Sequence, residues 1–371
     1  MNVGLISAVT TKEASVTPKT TWRFVRVTTT TGFEGVGEFT HQPAPPDVAH
    51  KMHEIGKTLV GTAANRNALS PLSHLKYQGF TPATLYSALE QALADIEAQV
   101  AGLPLAHHLG GNPCAPIPLY ANINRRTTDR SPEGFSQSAR LAVAAGFTSI
   151  KIAPFDGLSP ELCGAEAGQE RLAQGLARIV AVADAARDAR VMVDCHWRLT
   201  EDAAHALLPA LADAGVVWLE CPLPETTKNL PALVRLRRLG NDRGIRLAGL
   251  ETMSGWEAFK PFVEAGAYDV IMPDIKHCGG HQAMTEIAER AAASGVTTSP
   301  HNPSGPVAHA HSLHAQAGLP GNEPLEVQFD ETPMFDALTL PPPPRRNGTS
   351  PLPGGLGLGL SLKGPVLSTE R

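Results

Sequence analysis

The sequence is short of several features that would assign a class at once. Its five cysteines, at 114, 163, 195, 221 and 278, are scattered, odd in number and form no CxxC. That argues against a disulfide framework and fits a reduced, cytoplasmic setting. No stretch approaches the ~20 apolar residues a membrane span needs. The opening MNVGLISAVTTKEASV lacks the basic head and long apolar core of a signal peptide, so neither membrane nor export is expected. Net charge is −5 with no basic stripe, which makes nucleic acid a poor partner. Glycine-rich motifs that cradle nucleotide phosphates are missing; Gly279-Gly280 reads as a turn before a helix.

What is present is ordinary globular material. The 371 residues are 42% apolar and 18% charged, enough for an ordered core in two domains, or a barrel with an accessory domain. Residues 22–39 (WRFVRVTTTTGFEGVGEF) alternate around a glycine turn, a hairpin pattern. Residues 82–102 follow a helical period ending near Gly102 and Pro104. Residues 1–115 are therefore expected as an α+β domain. From Pro118 short apolar runs recur: LYANIN, TSIKIAP, VMVDCH, VVWLECP, IRLAGLE, DVIMPDI, VTTSPH and PLEVQF. Eight strands interleaved with seven helices predict an α/β fold, a (β/α)7β modified TIM barrel over 116–330. After it, TLPPPPRRNGTSPLPGGLGLGLSL cannot continue a helix. Residues 331–371 are expected to return to the N-terminal domain and complete it as a cap.

Chemistry in such barrels gathers at the C-terminal strand ends. From the second strand to the eighth, these ends carry Lys151, Asp194 with His196, Glu220, Glu251, Asp274, His301 and Glu326. Asp194, Glu220 and Glu251 fall on adjacent strands. Three convergent carboxylates repel unless a cation joins them, and an all-oxygen set suits a hard divalent ion, Mg²⁺ first. Asp274 and His301 end neighbouring strands, where a carboxylate orienting an imidazole makes a general base. In VMVDCHWRLT, residues i and i+2 of a strand face one side, so Asp194 and His196 are expected to point together. His196 then stands beside the metal as a proton carrier; a fourth ligand to a softer metal, or an orienter of Asp194, are the alternatives.

These residues resemble the mandelate racemase group of the enolase superfamily, most closely its galactonate-dehydratase type. VRVTTTTGFEGVGE and ALEQALADIEAQVAGLPLAHHLGG are similar to its N-terminal motifs. DCHWR, WLECP and GLET match its metal-ligand motifs, MPDIKHCGG and SPHNPSGP its Asp–His dyad, and PLEVQF its late glutamate. The resemblance implies Mg²⁺ on Asp194, Glu220 and Glu251, a base His301 oriented by Asp274, and Glu326 on the substrate carboxylate. Asp194, His196 and Arg198 fit a DxHxR pattern in which the histidine is the general acid. Capping loops near 14–21 and 41–48 would shape specificity, and a homo-oligomer is expected by analogy.

The pattern departs from the family at several points. KIA replaces KxK, so Ala153 stands where racemases carry a second lysine. Lys151 is expected to lend positive charge near the substrate carboxylate. ECP replaces EEP, and Leu250 replaces the glycine before the third ligand. His309, His311 and His314 are expected on a polar helix face, Lys276 and His277 in a solvated loop, and His107 and His108 at a helix end.

The function expected is Mg²⁺-dependent dehydration of a small carboxylate, an aldonate or aldarate. It would pass through an enediolate after α-proton removal and give a 2-keto-3-deoxy acid. Arg198, Lys151 and Glu326 are the expected substrate contacts. Two rivals are a racemase or epimerase, which needs bases on both faces, and a barrel that binds without turnover.

Overall fold

The computed structural model describes residues 3–17, 20–111, 116–363 and 367–368. Cys114 and residues 18–19 of the expected specificity loop lie outside the described residues. The chain opens with an antiparallel sheet of β1 (Ile6–Thr17), β2 (Thr20–Thr29) and β3 (Glu34–Glu38). The expected hairpin is β2–β3. Helix α1 (Val48–Leu59), a 3-10 segment (Arg66–Tyr77), α2 (Phe80–Ala101) and α3 (Leu105–His108) follow. Glycine spacing in EGVGE has a packing reason. A Cβ on Gly35 or Gly37 would lie 2.0 Å from the carbonyl oxygen of Ala92 or Ala88, so only glycine lets α2 lie flat on β3.

The barrel strands are β4 (Ile117–Asn122), β5 (Ser149–Ile152), β6 (Arg190–Asp194), β7 (Val216–Glu220), β8 (Arg246–Gly249), β9 (Val270–Ile271), β10 (Thr297–Thr298) and β11 (Leu325–Gln328). Between them run α4 (Pro132–Ala144), α5 (Glu166–Ala185), α6 (Glu201–Asp213), α7 (Leu230–Asn241), α8 (Trp256–Glu264), α9 (Gly280–Ala293) and α10 (Pro306–Gln316). The parallel ladder runs from β10 down to β4 and then β11. A bridge from Thr298 to Asn322, with Glu323 donating its N–H to the Thr298 carbonyl at 2.8 Å, joins the two ends. The eight strands and seven helices match the expected pattern. After β11 the described residues include one short helix, Met334–Ala337, and short two-residue strands.

Period-two alternation sorts every strand. Ile150, Val191, Val193, Leu219 and Leu247 pack outward under the helices. Tyr120, Met192, Trp218 and Ala248 form a separate inner cluster. Lys151, Asp194, Glu220 and Glu326 occupy further inward positions, which is how the strand ends come to share one mouth.

The N-terminal sheet and helices sit over that mouth through polar contacts. Glu38 accepts from Gly305 N (2.8 Å) and Ala308 N (2.9 Å) at the start of α10. Glu90 accepts from His281 N (2.7 Å) at the start of α9. Each satisfies helix-end donors that would otherwise be orphaned. Gly279 and Gly280 are left-handed, and a Cβ on Gly280 would meet Glu90 Oε2 at 2.1 Å. Helix α10 contradicts the expected polar face: His309, His311 and His314 are buried. His311 Nε2 bonds the Val36 carbonyl (2.8 Å), and its Nδ1 meets His281 Nε2 (2.9 Å). His314 bonds the Leu358 carbonyl and receives Ala106 N–H. His309 meets Asn302 of the barrel (2.7 Å), while Val36, Ala106 and Leu358 reach the other two from the N-terminal domain and the C-terminal segment. That segment packs back as well: Leu358 N–H donates to Asp95, and Leu367 and Ser368 pair with Glu13 and Lys12 of β1. Among the described residues no helix is long and apolar enough to cross a membrane.

Candidate active site

A cavity of ≈ 500 Å³ lies over the C-terminal strand ends, roofed by the N-terminal domain. Asp194, Glu220 and Glu251 each bring one oxygen to within 4.8 Å of the other two, and all three are buried. Asp194 and Glu220 are the last residues of β6 and β7, side by side in register. Glu251 follows β8 by two positions. Burial, opposed by Lys151 and reinforced by the charges of Asp194 and Glu326, pushes Glu220 up to about 8. Burial together with Asp194 and Glu220 drives Glu251 up too. Asp194 goes the other way: burial would raise it, but His196 holds it low. Three buried carboxylates that resist joint ionisation are the donor set a hard divalent cation satisfies.

Lys151 lies deeper than expected. Its Nζ is 2.6 Å from Glu220 Oε1 and 3.0 Å from Glu326 Oε1, with the side chain 1% exposed and no part in the cavity wall. Both acceptors are protein carboxylates, so Lys151 braces the cluster from beneath. Trp218 Nε1–H donates to the other Glu220 oxygen at 3.0 Å. Glu326 does reach the cavity, held by Asn122 Nδ2 (2.7 Å) and Asn302 N–H (2.9 Å). Arg198, another expected substrate contact, bonds the protein itself. Its guanidinium donates to the Phe155 carbonyl (2.6 Å) and ties two loops together outside the cavity.

His196 reaches the site by a different route from the one expected. Strand β6 ends at Asp194, and His196 and Trp197 are left-handed, with φ of 47° and 58°. The imidazole returns to Asp194 through this turn: Nε2 lies 2.7 Å from Oδ2, and the His196 N–H donates to Oδ1 at 2.9 Å. The charge of Asp194 raises its pKa. Cys221 (φ 43°) and Leu250 (φ 75°) are left-handed at the ends of the next two strands. Such strain outside glycine costs on the order of 1 kcal/mol per residue and collects at functional sites. Hydrogen bonds from Cys195 N to Glu220 O (2.9 Å) and Cys221 N to Ala248 O (3.0 Å) stitch these ends together. Left-handed backbone at position 250 also accounts for the glycine expected there.

His301 Nδ1 bonds Asp274 Oδ2 at 2.8 Å, leaving Nε2 3.6 Å from Glu251. Asp274 is fully buried. Burial would raise its pKa, but Lys276, His277 and His301 hold it well below the usual carboxylate range. Lys276 is the main surprise. Expected in a solvated loop, it is 2% exposed, lines the cavity, and bonds Asp274 Oδ2 at 2.6 Å as well as Ser304 Oγ. His277 is buried likewise, against Thr84 Oγ1 (2.9 Å). Thr20, His41 and Gln42 from the N-terminal domain also line the cavity, as do Asn122, Arg125 and Gln328. Asn122 and Gln328 occupy inward positions at strand ends, so the alternation that found Glu326 could have found them. Thr20, His41 and Gln42 fall in the capping loops that the resemblance implied, near 14–21 and 41–48, whereas Lys276 carried no such signal.

Two family descriptions match the chain. Residues 134–366 fit the enolase C-terminal domain-like family, and residues 6–110 the mandelate racemase/muconate lactonizing enzyme N-terminal domain. This chain belongs to the mandelate racemase group of the enolase superfamily. Among curated relatives of this superfamily member, a D-gluconate dehydratase of Thermoproteus tenax is 29% identical over 79% of this chain. The match spans only 57% of that relative's length. A D-galactonate dehydratase of Variovorax paradoxus is 29% identical, covering 79% of this chain and 74% of the relative. A D-galactarolactone cycloisomerase of Agrobacterium fabrum is 28% identical, covering 78% and 74%. A solved mandelate racemase/muconate lactonizing enzyme from Jannaschia sp. CCS1 superposes with a TM-score of 0.84 at 26% identity, over 96% of this chain and 95% of that one.

Proposed function

We propose that this chain is a hydro-lyase that dehydrates an acid sugar to a 2-keto-3-deoxy acid, with Mg²⁺ held by Asp194, Glu220 and Glu251. The observation that carries this reading is the placement of two imidazoles at opposite members of one carboxylate cluster. His301 stands beside Glu251, and His196 is bonded to Asp194. When bound, Mg²⁺ supplies positive charge that holds the substrate carboxylate and offsets the charge appearing on it as the α-proton leaves. Glu326 faces the same pocket and orients that end of the substrate. Asp274 fixes the His301 tautomer, so that Nε2 takes the C2 proton. The C3–O bond then breaks as the C2–C3 double bond forms, and His196 gives its proton to the departing hydroxyl, releasing water. The enol product tautomerises to the 2-keto acid. The dehydratases among the relatives support the reaction class.

A racemase would need a second base facing His301. Ala153 removes the lysine that would supply it, and Lys276 lies on the His301 side. His196→Asn separates the readings in D₂O with Mg²⁺. Elimination is expected to stop while α-proton exchange by His301 continues; His301→Asn is expected to lose both. Exchange that survives without His301 would overturn the role assignment. Wild type that neither exchanges nor eliminates across a broad acid-sugar panel would favour binding without turnover.

A further inference from the structure

We propose that Lys276 contacts the substrate directly, donating to a neutral hydroxyl oxygen on the His301 side, and that the substrate is an acid sugar with a single carboxylate. The inference rests on the acid-sugar reading and narrows it from aldonate or aldarate to aldonate.

An ammonium has three donors. Asp274 Oδ2 and Ser304 Oγ take two of those on Lys276, and among the described residues no third acceptor is in reach. The side chain is 2% exposed yet borders the cavity. Its remaining N–H therefore has only the cavity to turn to, and a buried donor left without an acceptor is strongly unfavourable. The nearby Glu38 carboxylate is already committed to Gly305 and Ala308.

The charges of the wall decide what kind of oxygen it meets. Lys276 is matched by Asp274, and Arg125 by both oxygens of Glu331 at 3.2 Å. His196 Nε2 is taken up by Asp194 Oδ2 at 2.7 Å. Burial pushes His277 down to about 3 and lowers His41 as well, so both present neutral imidazoles. No cation of the described wall is left for a second carboxylate, while the first belongs at the metal-ligand end. Bringing an unmatched carboxylate out of water is costly. A hydroxyl, which accepts and donates without charge, fits a wall of matched ions and neutral groups.

Calorimetric binding with Mg²⁺ present tests this without requiring turnover. Wild type and Lys276→Met are titrated with five- and six-carbon aldonates, the aldarates of matching configuration, and deoxy-aldonates lacking one hydroxyl each. Wild type is expected to bind an aldonate at least about tenfold tighter than its aldarate. One deoxy position should cost wild type about tenfold or more, and that loss should shrink below about threefold in Lys276→Met. Should Lys276→Met not fold, Lys276→Gln keeps the bulk and a neutral donor, and the same comparison should give an intermediate loss. Tighter binding of the aldarate, or deoxy losses identical in both proteins, would overturn the inference. A protein that binds aldonates in this pattern but never eliminates would overturn the dehydratase reading alone. Failure to bind any acid sugar overturns both.

Discussion

Lys151 and Glu220 form a 2.6 Å ion pair in which neither side chain reaches solvent, and the same ammonium holds Glu326 at 3.0 Å. Removing one partner of a buried pair strands the other, at roughly 3–5 kcal/mol. Lys151→Met is therefore expected to lose stability on that scale, measured by denaturant unfolding in metal-free buffer. A loss under about 1 kcal/mol would show that the pair does not brace the cluster.

The carboxylate cluster has a pH signature. Glu220 is raised to about 8 and Glu251 is raised as well, so the folded protein holds protons that the unfolded chain releases near pH 4.5. Their contribution to stability is full below pH 4.5 and is lost as pH rises towards 8. In EDTA this part of the melting temperature should fall over that window. Saturating Mg²⁺, which favours the ionised carboxylates, should flatten the decline. Identical profiles with and without Mg²⁺ would count against a cation at this cluster.

The buried histidines act at the acid end. Burial lowers His309 and His311 to about 3 and His314 to about 4. Depressed bases stabilise the fold above pH 6.5, and that stability drains away as pH falls from 6.5 to about 3. His311→Gln, compared with wild type by calorimetry at pH 7 and pH 5, should show a smaller acid-induced drop. A drop as large as that of wild type would mean His311 is not neutral in the fold.

Asp274→Asn takes the counter-ion from buried Lys276, so a stability loss of roughly 3–5 kcal/mol is expected, and it leaves His301 free to adopt the wrong tautomer. Both α-proton exchange and elimination are expected to fall roughly 10²–10⁴-fold. Retention of either rate within about threefold would remove Asp274 from the machinery.

Leu250→Gly sets two effects against each other. Relief of the left-handed backbone returns about 1 kcal/mol. Loss of a fully buried leucine costs roughly 2–5 kcal/mol. Burial wins, so net destabilisation is expected in chemical unfolding despite the glycine usual at this position. A stabilised variant would show that strain dominates.

Much of this site was legible because strand periodicity is local. Polar residues closing one apolar run after another announced Asp194, Glu220, Glu251, Asp274, His301 and Glu326 before any contact was visible. Depth along the barrel was not legible. Lys151 looks like its neighbours in sequence, yet two carboxylates from strands 69 and 175 positions away claim it. Lys276, His277 and the α10 histidines misled for a related reason. They read as hydrophilic and hence wet, whereas His277, His311 and His314 meet Thr84, Val36 and Leu358 from distant parts of the chain, and Lys276 is closed in by Asp274 and Ser304. The turn at His196 was hidden because alternation predicts where a strand points and not where it stops.

Glu38 carries a consequence for anyone recombining this family. Its carboxylate, from the N-terminal sheet, secures the first turn of α10, immediately after the loop that bears His301. The roof is thus not an interchangeable module set upon a finished barrel. A chimera that imports another N-terminal half to alter sugar preference must also import a matching acid at this junction. Without it, the graft would disturb the loop that carries His301 while seeming to touch only specificity.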